Sequence, residues 1–235
     1  MSPISRAFDV STSLLSSLLR APSGLSVGTL GPRPEKTLEL YEFENCPFCR
    51  KVREALSILD LEADVRPCPK GGERFRPEVV RRGGKAQFPY LVDPNAGIEM
   101  YESDAIVRHL FARYGDGRVP APLAIPVLRD VTSVLAGLPR IGHGSHARPS
   151  RPPEVPLELY SFEASPFSRL VRETLCALEI PYRLHNVAKG SPSRAAFRAR
   201  SGRMMVPWLV DPNAGVEMFE SADVVRFLEE RYALD

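Results

Sequence analysis

Leu38-Glu39-Leu40-Tyr41-Glu42-Phe43-Glu44-Asn45-Cys46-Pro47-Phe48-Cys49-Arg50 decides the fold. The run from Leu38 to Phe43 reads as a strand. A helical pattern leaves the stretch, with Val52, Ala55, Leu56 and Leu59 on one face. Two cysteines, two residues apart, therefore sit on a strand-to-helix turn. Pro47 suits the first helical position, where its missing N–H costs nothing. Cys46 then falls at or next to the N-cap, facing unpaired backbone N–H groups and the positive end of the helix dipole. Both favour thiolate over thiol, and Arg50, Lys51 and Arg53 are expected to push the same way. Cys49, one turn on, points back toward Cys46 and is placed to attack a mixed disulfide. A zinc site needs a second ligand pair at matching spacing. The other cysteines, Cys68 and Cys176, are single and far apart, so no metal is expected. A Cys-x-x-Cys in a strand–helix setting is more often redox than structural.

The 235 residues allow one large domain or two small ones. Hydrophobic content of 43% and charged content of 26% are those of a soluble globular chain. A net charge of +2 gives no electrostatic case for a nucleic-acid partner. Four cysteines do not make a disulfide scaffold, and a reducing, cytoplasmic setting is expected. No apolar run reaches the length of a membrane span.

The chain repeats itself. Leu157-Glu158-Leu159-Tyr160-Ser161-Phe162-Glu163-Ala164-Ser165-Pro166-Phe167-Ser168-Arg169 restates the opening stretch, with Ser165 lying 119 residues after Cys46. Phe88-Pro89-Tyr90-Leu91-Val92-Asp93-Pro94-Asn95-Ala96-Gly97 returns as Val206-Pro207-Trp208-Leu209-Val210-Asp211-Pro212-Asn213-Ala214-Gly215. Tyr101-Glu102-Ser103 returns as Phe219-Glu220-Ser221.

Residues 1–37 are Ser-rich and acid-poor, a composition shared with organelle transit peptides. However, Asp9-Val10-Ser11-Thr12-Ser13-Leu14 resembles the internal Asp130-Val131-Thr132-Ser133-Val134-Leu135. Both read as short amphipathic helices belonging to the repeat. Each unit then runs strand, helix, strand, helix, strand, strand, helix. In the first copy the strands are expected near 38–43, 63–67, 89–93 and 98–101, and the helices near 47–60, 73–82 and 103–114. Asp93-Pro94-Asn95-Ala96-Gly97 supplies a hairpin turn. The fold class is α/β, two tandem domains, each a mixed four-stranded sheet with flanking helices. The division is a helical segment over 1–37, a domain over 38–117, a helix and Pro-rich linker over 118–156, and a second domain over 157–235.

These motifs resemble the glutaredoxin fold, and more closely the N-terminal, thioredoxin-like domain of glutathione S-transferases. The resemblance rests on the strand–Cys-Pro-Phe-Cys–helix opening, the Phe88-Pro89 bond before a hairpin, and Glu102-Ser103 opening the last helix. It covers about 80 residues in each half, near the size of a small domain. Transferases carry an all-helical second domain. None follows either copy within these 235 residues, which weighs against conjugation of a hydrophobic electrophile.

The resemblance implies glutathione as cofactor, lying along the sheet end with its sulfur at Cys46. Phe88-Pro89 is expected to be cis, leaving the Phe88 backbone to pair with the cysteinyl unit. Glu102 would meet the ligand ammonium. Ser103, expected as N-cap, would meet a carboxylate, although Ser there also reads as an ordinary cap. Lys70 and Lys85 are weaker candidates for the glycyl carboxylate. Cys68 and Cys176 read as buried small hydrophobes. His109, His143, His146 and His185 show no catalytic pattern. In the second copy Ser165 and Ser168 replace both cysteines, while Val206, Pro207, Glu220 and Ser221 keep a second ligand cradle. That half reads either as a serine-based glutathione site or as a packing partner, the latter favoured. The expected activity is glutathione-dependent exchange with a disulfide or mixed-disulfide substrate. The alternatives are a transferase-like enzyme and a non-catalytic glutathione-binding scaffold.

Overall fold

The computed structural model describes residues 9–14, 23–124, 140 and 142–234. The first unit runs β1 (Leu38–Glu42), α1 (Pro47–Ile58), β2 (Ala63–Pro67), α2 (Arg76–Gly83), β3 (Tyr90–Asp93), β4 (Ile98–Met100) and α3 (Ser103–Tyr114). A short α4 (Ala121–Ala124) follows. The second unit repeats the order as β5 (Leu157–Ser161), α5 (Pro166–Ala177), β6 (Tyr182–Asn186), α6 (Arg194–Ser201), β7 (Trp208–Asp211), β8 (Val216–Met218) and α7 (Ser221–Tyr232).

Local chemistry sets most boundaries. Pro47 begins α1 and the Cys46 side chain caps it. Gly84, at φ 81°, ends α2 in the left-handed region that glycine takes at no steric cost. The helix expected from residue 73 starts at Arg76 instead. Pro77 falls in its first turn and has no N–H to bond back to the residue-73 carbonyl, as a helix begun at 73 would require. The N–H groups of Glu73 and Arg74, ahead of the helix, donate to the Glu179 carboxylate of the other unit, at 3.2 and 3.1 Å.

Within each unit the first two strands pair in parallel and the third and fourth form an antiparallel hairpin. The two four-stranded sheets are in fact one. β2 pairs antiparallel with β6, Ala63 opposite Leu184 and Val65 opposite Tyr182. The resulting order is β4-β3-β1-β2-β6-β5-β7-β8, with the two units related about the β2–β6 seam. The seam also satisfies two strand edges that would otherwise present unpaired backbone groups.

The two faces of the sheet differ. On one, α1, α3, α5 and α7 cover a single core that crosses the seam: Leu40, Leu56 and Ile106 join Leu159, Leu175 and Val224, all fully buried. On the other, α2 covers a small cluster around Tyr41, Val79 and Tyr90, and α6 covers another around Tyr160, Phe197 and Trp208.

Residues 9–14 are helical, as expected; the rest of that segment and its repeat at 130–139 lie outside the described residues. The segment expected as a linker lies against both units. Arg140 is buried, His146 bridges to Lys70, and Ser150 bridges to Ala233. Among the described residues no helix is long and apolar enough to cross a membrane.

Candidate active site

The turn between β1 and α1 puts Cys46 at the N-cap with extended backbone, φ −77° and ψ 120°. The Cys49 N–H donates to Cys46 Sγ at 3.3 Å. The Cys46 thiol is lowered to about 7. The hydrogen bond from the Cys49 thiol contributes most, against burial, with the backbone N–H groups of Cys49 and Phe48 and the charge of Arg53 adding to it. Cys49 is fully buried and its thiol is pushed well up, first by burial and then by its bond to Cys46. The two sulfurs are thus driven apart: one ionises near neutrality while the other holds its proton. Burial likewise pushes up Cys68 and Cys176.

The three cations expected to activate Cys46 are all buried and engaged in ion pairs. Arg50 faces Glu163 at 3.8 Å, Lys51 pairs with Asp104 at 3.2 Å, and Arg53 holds Glu42, Glu44 and Glu163. Of these, Arg53 contributes to lowering Cys46, behind the hydrogen bonds.

The Phe88–Pro89 and Val206–Pro207 bonds are cis. Phe88 packs edge-on against Phe43, with the Arg76 guanidinium 4.7 Å from its ring centroid. Ser103 is not the N-cap of α3. That position belongs to Glu102, at φ 68° and ψ 104°, and Ser103 is the buried first helical residue. The Ile106 N–H bonds to Glu102 O, which moves the helix start back by one. Glu220 repeats this at φ 64°. A positive φ is uncommon for residues other than glycine, and Asp60 and Glu179 share it among the described residues. Gln87 Nε2 donates to Glu102 Oε1, so the Phe88 loop and the start of α3 meet. In the second unit Phe167, Val206, Pro207, Glu220 and Ser221 line one cavity of about 200 Å³. Ser165 caps α5 there, accepting from the Ser168 N–H at 3.2 Å and hydroxyl at 2.9 Å.

Sequence reasoning missed a buried ionic cluster behind both turns. Arg172 of α5 donates to both oxygens of Glu44, at 3.0 and 3.1 Å. The Glu44 N–H donates to Cys176 Sγ at 3.4 Å, and Arg53 Nη2 donates to Glu44 O at 2.9 Å. Asn45 Nδ2 donates to Ser145 Oγ at 3.2 Å. The reverse contact repeats the pattern. Arg53 Nε donates to Glu163 Oε2 at 2.9 Å, and the Glu163 N–H donates to Ser57 Oγ at 3.0 Å. Burial alone would raise Glu163, but Arg172, Arg53, Arg169 and Arg50 bring it down to about 2. The available signal was that Glu44, Arg50 and Arg53 return at the spacing of the repeat as Glu163, Arg169 and Arg172.

His109 and His185 are held in ion pairs of their own. His109 pairs with Asp93 at 2.8 Å and His185 with Glu62 at 2.6 Å. Among the described residues no group of three or more His, Cys, Asp or Glu could hold a metal ion. Lys70 joins the bridge to His146, and the Lys85 ammonium lies 4.8 Å from the Tyr101 ring centroid.

A family model for the glutathione S-transferase N-terminal domain matches residues 40–118 and again residues 159–235. No curated protein and no solved structure matches.

Proposed function

The chain belongs to the glutathione S-transferase N-terminal domain family, and from that membership we propose that it is a glutathione-dependent thiol–disulfide oxidoreductase. Cys46 is the nucleophile and Cys49 the resolving thiol. The observation that carries this reading is the split between the two sulfurs on one helix turn, Cys46 lowered to about 7 and Cys49 raised. A thiolate near neutrality is what exchange needs, since the attacking thiol works best with a pKa near ambient pH.

The Cys46 thiolate attacks the glutathionyl sulfur of a mixed disulfide. A bond forms between Cys46 and that sulfur, and the substrate thiolate leaves and takes up a proton. A second thiolate, from glutathione, then attacks the glutathionyl sulfur. Oxidised glutathione departs and the Cys46 thiolate is restored. Cys49, once deprotonated, can instead attack Cys46 Sγ and release glutathione, leaving an intramolecular disulfide.

Phe88 and Pro89 would receive the cysteinyl backbone, and Glu102 and Ser103 the γ-glutamyl end. The corresponding cavity at Val206, Pro207, Glu220 and Ser221 supports that grouping. With Ser165 and Ser168 in place of sulfur, the second half makes no exchange and serves as a packing partner.

Replacing each cysteine tests the reading with glutathione and a small mixed disulfide. Cys46→Ser is expected to abolish turnover. Cys49→Ser is expected to retain it, because glutathione replaces the resolving thiol. Equal loss in both variants would overturn the monothiol route.

A further inference from the structure

We propose that the second half positions the nucleophile of the first, with Arg172 as the positioning residue and Cys176 as its companion. This rests on the redox reading of Cys46. The turn that delivers Cys46 begins at Glu44, which is almost wholly buried. Glu44 is held through its carboxylate, its N–H and its carbonyl. The first two of those contacts come from α5 in the other half, through Arg172 and Cys176. The next residue, Asn45, is held by Ser145, also from beyond the first unit. From within the first unit, Arg53 holds the carbonyl at 2.9 Å and lies 3.3 Å from one carboxylate oxygen.

The clamp is directional. Arg172 presents Nε and Nη2 in parallel to the two oxygens of Glu44, a fork that lysine cannot reproduce. It also places a positive charge against a buried carboxylate two residues from Cys46. Without the fork, that carboxylate keeps Arg53 at 3.3 Å and Arg169 at 3.9 Å but loses its bidentate partner, and with it the directional hold from α5. The N–H groups that meet Cys46 Sγ are fixed in α1, while the turn sets where the sulfur lies against them, and a thiolate is stabilised only by donors that are aimed at it. The reciprocal set, Arg53 and Ser57 on Glu163, holds a turn that carries serine. The same clamp therefore serves chemistry on one side and architecture on the other. A half without sulfur keeps a task in this arrangement.

The test is the pH profile of Cys46 alkylation in the full chain, read by iodoacetamide labelling and mass mapping. The variants are Arg172→Lys and Cys176→Ala. Wild type is expected to show an inflection near pH 7. Arg172→Lys should move it up by about one pH unit and slow labelling at pH 6 by about tenfold, since one unit is a tenfold change in thiolate below the pKa. Cys176→Ala should shift it in the same direction by less. The Michaelis constant for glutathione should stay within about twofold, because neither residue belongs to the ligand cradle. Val224→Ala, on the core face of α7, should lower the melting temperature and leave the profile unmoved. A lower melting temperature with an unmoved inflection in both clamp variants would make Arg172 merely structural and overturn the proposal. If Arg172→Lys fails to fold, Cys176→Ala decides by the same criterion. A wild-type inflection near that of an ordinary thiol would instead overturn the redox reading, and the positioning with it.

Discussion

At the scale of single residues, the chemistry depends on two sulfurs in different surroundings. Cys46, lowered to about 7, should alkylate at a rate that climbs through pH 7 and flattens about one unit above it. Cys49, Cys68 and Cys176, all pushed up by burial, should remain unlabelled under limiting reagent at pH 7. Dominant labelling of Cys68 would remove Cys46 from the site. Glu163 gives a second residue-level expectation, this time for stability. Its folded value of about 2 lies below the ordinary 4.5, so its contribution is complete above pH 4.5 and fades as pH falls toward 2. Urea midpoints should therefore drop steeply across that window. Glu163→Gln should cost about 3–5 kcal/mol at pH 7, because it leaves buried arginines uncompensated, and should flatten the acid limb. An unchanged acid limb would mean that Glu163 is not the group that titrates. The cysteine pair was legible in sequence because its cause is local: a proline at the first helical position and two sulfurs one turn apart. The partners of Arg50, Lys51 and Arg53 were not, because all three reach for acids far away in the chain, Glu163 or Asp104.

At the scale of elements, the start of α3 carries the proposed ligand contacts. Glu102 and Ser103 open that helix, and Glu220 and Ser221 open α7 with the same positive φ. Glu102→Ala with Ser103→Ala removes a carboxylate and a hydroxyl. Polar contacts to charged groups are worth about 1.5–3 kcal/mol each, which predicts a tenfold or larger rise in the Michaelis constant for glutathione. The matching double substitution at Glu220 and Ser221 should leave turnover nearly intact and lower only the melting temperature. Loss of activity there with an unchanged melting curve would make the second cradle a working site. The helices and strands themselves were largely legible, since periodicity and turn residues act over a few positions. Two boundaries were not. α2 begins three residues late, with Pro77 in its first turn and the Glu73 and Arg74 N–H groups ahead of it, on the Glu179 carboxylate. Glu102, rather than Ser103, takes the cap of α3 because its carbonyl already accepts the first helical bond.

At the scale of the whole molecule, two repeats share one sheet and one core. Repetition was visible in the sequence, but the β2–β6 seam was not. Ala63-Asp64-Val65 and Tyr182-Arg183-Leu184 each read as an ordinary strand, and nothing local says that one lies against the other. What joins them is non-local: the cross-strand ladder, the arginine and glutamate cluster, and an apolar layer that runs from α1 and α3 into α5 and α7. Two domains tied only by a linker would unfold separately. Here, opening either unit exposes a strand edge of the other and strands buried charges of both, so the intermediate carries costs from each. A single cooperative transition is expected for the full chain. Leu56→Ala and Leu175→Ala make that testable, since they are equivalent, fully buried positions in the two halves. Each should cost about 2–5 kcal/mol by the cavity it leaves. Each should also shift one shared calorimetric peak, by roughly 2–4 °C per kcal/mol for a chain of this size. Two peaks, with only one moving in each variant, would make the halves independent. The second half would then have no means of holding the turn that carries Cys46.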